Sequence, residues 1–175
     1  DFLLESGTWP FMRQRPYNVV ADPDVTPRDI FISTFDTAPL AADLNFVVEG
    51  RGADFQAGLD VLNRLTDGLV YLGLDGRGDD RPSDVFAAAQ GVEKRYFRGA
   101  HPAGNVGVQT HHIHPISAGE EVWTINVEGV LTIGALFLNG KYDASRIVAM
   151  AGSPLAEPHY LKTYLGANVG ELVKS

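Results

Sequence analysis

Apolar positions along this chain follow two rhythms, short continuous runs and longer stretches at helical spacing, and their order predicts the fold. Residues 29–35 form an apolar run bounded by Thr26-Pro27 and by Asp36, which predicts a buried strand. Residues 53–66 then carry Phe55, Leu59, Leu62 and Leu65 one helical turn apart, with Asp54 near the amino end and Asp67-Gly68 as the stop. Residues 69–74 give a second strand and 75–82 a charged surface loop, after which Ser83-Asp84 caps a short helix through Gln90. A third strand is expected at 92–97, a loop with three glycines at 99–107 and a fourth strand at 121–126. The apolar helix 127–139 stops at Asn139-Gly140, and a fifth strand follows at 146–151. Strand and helix alternating at this spacing imply right-handed crossovers, hence an α/β fold with a mostly parallel sheet and flanking helices.

The two ends depart from that rhythm. Residues 1–6 read as the middle of an amphipathic helix, so 1–28 is expected to be a helix and linker ahead of an α/β domain at 29–153. After Pro154 and Pro158, residues 159–165 alternate as a half-exposed antiparallel strand does, and 166–172 suggest a turn opening a short helix. This is the expected start of a second module over 154–175, cut off at its end. The first residue is Asp1 and not methionine, which suggests a piece of a longer protein.

Composition narrows the partners. With 14 Lys and Arg against 22 Asp and Glu, the 175-residue chain has a formal charge of -8, which argues against nucleic acid or anionic lipid as a principal ligand. The absence of cysteine excludes disulfides, thiolate metal sites, iron–sulfur ligation and a cysteine nucleophile. No apolar run approaches the roughly 20 residues that a membrane-spanning helix requires.

The loop at 36–43, after the first strand, occupies the place where open α/β sheets hold ligands. A phosphate cradle there needs glycines, so that backbone N–H groups can close on the anion, and this loop has none. Asp36 reads either as a loop cap or as part of a site, while Phe35, Pro39 and Leu40 suit a flat apolar ligand better than a phosphate. Ser153, in Gly152-Ser153-Pro154, reads as a turn residue, and Gly73-Leu74-Asp75-Gly76-Arg77-Gly78 misses the dinucleotide spacing. His101, His111 and His114 form a candidate zinc set only if they converge, and Pro115 disfavours helical geometry at His114.

Several short motifs stand in a fixed order along the chain. They are Ser6-Gly7-Thr8-Trp9, Arg13-Gln14-Arg15-Pro16, the run from Ile30 to Ala42, Ala57-Gly58-Leu59-Asp60-Val61-Leu62 and Leu65-Thr66-Asp67-Gly68. The series continues with Gly99-Ala100-His101-Pro102-Ala103-Gly104, Trp123-Thr124-Ile125-Asn126, the stretch from Val130 to Gly134, Arg146-Ile147-Val148 and Leu165-Gly166-Ala167-Asn168. Together these motifs resemble the NqrA family of the sodium-translocating NADH:quinone oxidoreductases, and the resemblance implies a cytoplasm-facing subunit of a bacterial membrane complex that passes electrons from NADH to ubiquinone and exports Na+. It also implies a central, Rossmann-like fragment similar to the flavin-subunit domain of respiratory complex I, followed by the start of a β-grasp (SLBB-like) module.

In that family the flavins, iron–sulfur centre and NADH site are expected on other subunits, so no redox cofactor is expected on this fragment. Ubiquinone is then the substrate of the complex, and the partners are the other Nqr subunits, especially the quinone-end membrane subunit. Phe35, Asp36, Thr37, Pro39 and Leu40 are the candidate quinone contacts, and no catalytic or metal-binding residue is assigned. The tandem histidines of Thr110-His111-His112-Ile113-His114 are shifted from the family's Gly-Thr-His-x-His run, so no role is carried to them. Two other readings remain open at this point: a flavin or nucleotide binder using the 99–107 glycine loop, and a zinc hydrolase using His101, His111 and His114.

Overall fold

The computed structural model describes residues 1–77, 82–153, 155 and 157–173. Part of the charged loop expected at 75–82, residues 78–81, lies outside the described residues. The fold holds a six-stranded sheet with helices on both faces and a separate two-stranded hairpin. Four strands, β3 (Ile30–Ser33), β4 (Val70–Asp75), β5 (Glu93–Phe97) and β6 (Val122–Thr124), run parallel in the order β6-β3-β4-β5. Two short strands, β1 (Arg13–Arg15) and β2 (Val19–Val20), extend the sheet beyond β6 in antiparallel pairing. Residues 13–20, expected within a linker, thus complete the sheet edge.

One face of the sheet is covered by α3 (Gly52–Leu62) and α6 (Val127–Asn139), preceded in the chain by the short helices α1 (Phe2–Glu5) and α2 (Leu44–Val47). Ile30, Ile32, Leu72, Leu74 and Trp123 point into that layer and meet Phe55, Leu59, Val130 and Leu131. The other face carries α5 (Val106–Ile113), which packs Val106 and Ile113 on Phe31, Tyr71 and Val122. Strands buried on both faces read as unbroken apolar runs, and β4 is buried along its whole length for that reason. β5 is an edge strand, charged and partly exposed, while α4 (Asp84–Ala87) buries Phe86 against Phe55.

Helix ends follow local chemistry. Asn126 caps α6 by accepting from the Gly129 N–H at 2.8 Å, and Gly140 ends it in a left-handed conformation at φ 66°, so the helix has the bounds the sequence predicts. Ser83 accepts from the Val85 N–H at α4, which ends at Ala87 rather than at Gln90. α3 likewise stops at Leu62, four residues before the predicted end.

The expected fifth strand does form, but not in the parallel sheet. β7 (Ser145–Met150) pairs antiparallel with β8 (His159–Tyr164) across a register running from Ser145 opposite Tyr164 to Met150 opposite His159. The alternation read at 159–165 and the short helix after it, α7 (Val169–Leu172), are both present.

Candidate functional site

In the order β6-β3-β4-β5 the chain leaves β3 in one direction and later returns to the other side of the same strand. The crossover to β4 runs over the α3 face and the crossover into β6 runs through α5 on the opposite face, so a crevice opens between the carboxyl ends of β3 and β6. Its volume is about 440 Å3, and Ser33, Phe35, Asp36, Thr124, Ile125 and Asn126 come to it from those two strand ends.

The loop after β3 is held from below and from the side. Gln109, buried on α5, donates from Nε2 to Ser33 Oγ at 2.9 Å and to the Ala103 carbonyl at 3.1 Å. Its amide fits only because position 73 is glycine: a Cβ there would sit 2.0 Å from Gln109 Oε1. Ser33 Oγ lies 2.9 Å from both the Phe35 and the Gly104 carbonyl oxygens. The Gly104 N–H donates to Thr37 Oγ1 at 3.0 Å, and Thr37 Oγ1 is 3.2 Å from His101 Nδ1. A Cβ on Gly104 would stand 2.7 Å from the Thr37 nitrogen, so the two loops touch backbone to backbone.

The five predicted contact residues therefore separate. Phe35 is buried, with the Arg77 guanidinium 5.2 Å from its ring centroid, and Asp75 grips that arginine at 2.7 Å. Burial pushes the Asp75 carboxyl up, yet the hydrogen bonds from Arg77 outweigh it and hold the group below the usual carboxylate range. Asp36 lines the crevice while its Oδ1 accepts from the Ala38 N–H at 2.8 Å, so it turns the loop as its residue type suggests. Thr37 is part of the clamp on Gly104, and Pro39 is exposed.

Leu40 stands at the tip, 69% exposed and in a left-handed conformation at φ 62°. Beside it a groove of about 210 Å3 runs between the loop and the β7–β8 hairpin, walled by Ala41, Ala149, Met150, Pro158 and Tyr160. Tyr160 ties the two together: its hydroxyl accepts from the Asp43 N–H at 2.8 Å, and its ring lies 4.5 Å from that of Phe46.

The other sequence candidates go elsewhere. The glycine-rich loop ends at Asn105, whose side chain accepts from the Gly107 N–H at 2.9 Å and starts α5, so Gly107 belongs to the helix and Gly104 to the loop packing. The sequence reading missed α5, and Asn105 before Val106 was the available signal for it. His114 leaves helical geometry before Pro115, as the sequence predicts, and its Nδ1 sits 3.2 Å from Asp29 at the opposite end of β3 from His101. Among the described residues no three His, Asp or Glu side chains converge as a metal ion requires, and His111 is exposed on α5. No helix among the described residues is long and apolar enough to cross a membrane.

Comparison with known proteins places these features in a group. The family model described as the NqrA second alpha/beta domain matches residues 1–142, which takes in the six-stranded sheet and both layers of helices. The chain is 41% identical over 172 residues to the A component of the Na(+)-translocating NADH-quinone reductase of Saccharophagus degradans, covering 98% of the chain and 38% of that protein. It is 42% identical to the protein of the same name from Pseudomonas aeruginosa strain UCBPP-PA14, covering 98% and 37%. For that from Neisseria meningitidis serogroup B the identity is 39%, covering 97% and 37%. The chain thus spans little more than a third of the length of these curated relatives.

Proposed function

The chain belongs to the NqrA family of the Na(+)-translocating NADH-quinone reductases, as its second α/β domain, and from that premise we propose that it works at the quinone end of such a complex. In this reading it is a peripheral domain on the cytoplasmic face of a bacterial membrane, docked on the other Nqr subunits and above all on the membrane subunit that handles quinone. The sheet is Rossmann-like, related in plan to the flavin-subunit domain of complex I, and β8, the second strand of the hairpin, falls in the start of a β-grasp module. Within the proposed division, residues 29–153 form the α/β domain and 154–175 begin the next one.

The observation that carries this reading is the loop after β3. Where a phosphate cradle turns its backbone toward a ligand, Asp36 and Thr37 press theirs against Gly104, and the loop offers an exposed Leu40 beside an apolar groove instead. A flat, largely apolar quinone ring suits that groove, with the Tyr160 hydroxyl at its edge. The redox cofactors of the complex then belong to other subunits. A second apolar surface supports docking: Phe2 and Phe137 are exposed, with their rings edge to face at 5.2 Å.

A charge at the loop tip tests the assignment. Leu40→Glu in the intact complex is expected to raise the KM for quinone roughly tenfold, the equivalent of about 1.4 kcal/mol, by putting a carboxylate into the apolar groove. NADH oxidation by a soluble artificial acceptor should keep its rate. An unchanged KM for quinone contradicts quinone contact at this loop.

A further inference from the structure

Two arginines, Arg13 and Arg15, line the crevice between β3 and β6. Arg13 and Arg15 stand two residues apart on β1 and so point to the same side of the sheet. Arg28, Arg51, Arg77, Arg95 and Arg146 each meet a carboxylate, whereas among the described residues neither Arg13 nor Arg15 has one within ion-pair distance. Arg13 donates from Nη2 to the Asn18 carbonyl, and Arg15 from Nε to Thr124 Oγ1 at 3.4 Å. Each guanidinium has five N–H donors in a planar fork, so most of that capacity is unused by these bonds. Burial, with the nearby Arg13 charge adding to it, pulls the Arg15 pKa below its ordinary value.

Two helix ends add to the positive potential of these arginines. His101 faces the crevice, and Asn105 and Asn126 open α5 and α6 there, so the positive ends of both helix dipoles converge on it. Asp36 is the lone carboxylate of the lining, held at its rim by the Ala38 N–H. Phe11, Leu44 and Ile125 supply apolar wall, and about 440 Å3 is room for a small metabolite.

We propose that this crevice binds a small organic oxyanion, a molecule whose phosphate or carboxylate group is held by the Arg13 and Arg15 forks and whose compact apolar body rests on Phe11, Leu44 and Ile125. The cation that a glycine loop does not provide comes from the opposite side, from the antiparallel strand β1. Planar guanidinium forks match the paired oxygens of phosphate and carboxylate, which fixes orientation as well as charge. Leu40 and its groove are not part of this lining, which shares only Phe35 and Asp36 with the candidate quinone contacts.

The test uses the full-length protein, titrated with inorganic phosphate and separately with succinate, against sodium chloride at matched ionic strength, with thermal stability and calorimetry as readouts. Saturable binding of at least one of the two anions is expected, weakened at least tenfold by Arg13→Gln or Arg15→Gln and unchanged by Arg98→Gln, an exposed arginine outside the crevice. Binding of phosphate alone assigns a phosphate ester, and of succinate alone a carboxylate. Arg13→Lys and Arg15→Lys, which keep the charge and lose the fork, should weaken binding measurably relative to the unaltered protein, a comparison that holds even if a glutamine variant fails to fold. No saturable binding by the unaltered protein overturns the proposal, as does binding that Arg13→Gln and Arg15→Gln leave intact. Neither outcome alters the quinone kinetics expected of Leu40→Glu.

Discussion

Gly134→Ala in the full-length protein is expected to destabilise this domain by about 3 kcal/mol, the upper part of the usual range for overpacking a core. Helix propensity argues the reverse, since glycine within a helix costs roughly 0.5–1 kcal/mol relative to alanine. Contact decides the sign. A Cβ at position 134 would lie 1.7 Å from the Asp54 carbonyl oxygen and 2.7 Å from the Gly58 nitrogen, both backbone atoms of α3. Gly58 faces the same constraint in return, with a Cβ 2.2 Å from the Val130 carbonyl oxygen on α6. The two helices can separate only by opening the layer that covers Ile32, Leu72 and Trp123. In thermal unfolding the loss corresponds to a fall in Tm of roughly 6–12 °C for a domain of this size. A Tm equal to or above that of the unaltered protein would show that α3 and α6 are not in backbone contact.

The second large effect is at the loop clamp. Gly104→Val places side-chain carbons where the Asp36 and Thr37 backbone now lies, with even the first of them 2.9 Å from the Asp36 Cα. No side chain can swing aside to relieve that approach, so the loop itself must move, at a cost of about 2 kcal/mol. The bonds from the Gly104 N–H to Thr37 and from Ser33 to the Gly104 carbonyl are strained together. Because Leu40 lies three residues beyond Thr37, the same displacement reaches the proposed quinone contact. The expected result in the complex is lower stability of this domain together with a higher KM for quinone. Reduced stability at an unchanged KM would place the quinone elsewhere, and an unchanged stability would contradict the packing of the two loops.

How much of this was legible in the chain depended on whether the deciding contact was local. The α6 helix could be bounded because Asn126 and Asn139-Gly140 are local signals, and β3 and β4 could be found because burial on both faces leaves unbroken apolar runs. β1 could not, since Arg13-Gln14-Arg15 carries no apolar alternation and is held between Val19-Val20 on one side and Trp123 and its neighbours, more than 100 residues away, on the other. The run at 146–151 was readable as a strand, but its pattern says nothing about which sheet it joins. Its partner follows two prolines, and only that pairing separates it from the parallel sheet.

The site divides in the same way. The lack of glycine at 36–43 and the turn-forming role of Asp36 are local properties and could be read directly. That Gly104 seals the loop, that Gly73 makes space for Gln109, and that Arg13 and Arg15 line the crevice are consequences of strand order. Residues far apart in the chain meet there because the path reverses at β3, and no spacing rule within a single segment records that reversal.

In the proposed function, the mostly parallel sheet presents the loop after its first parallel strand to the quinone end of the complex. A photoreactive ubiquinone analogue crosslinked in the intact complex and mapped by peptide tests it most directly. Labelling of the peptide that carries Leu40, displaced by excess ubiquinone, is the expected result; labelling confined to other subunits would contradict quinone contact and leave this domain a docking role alone.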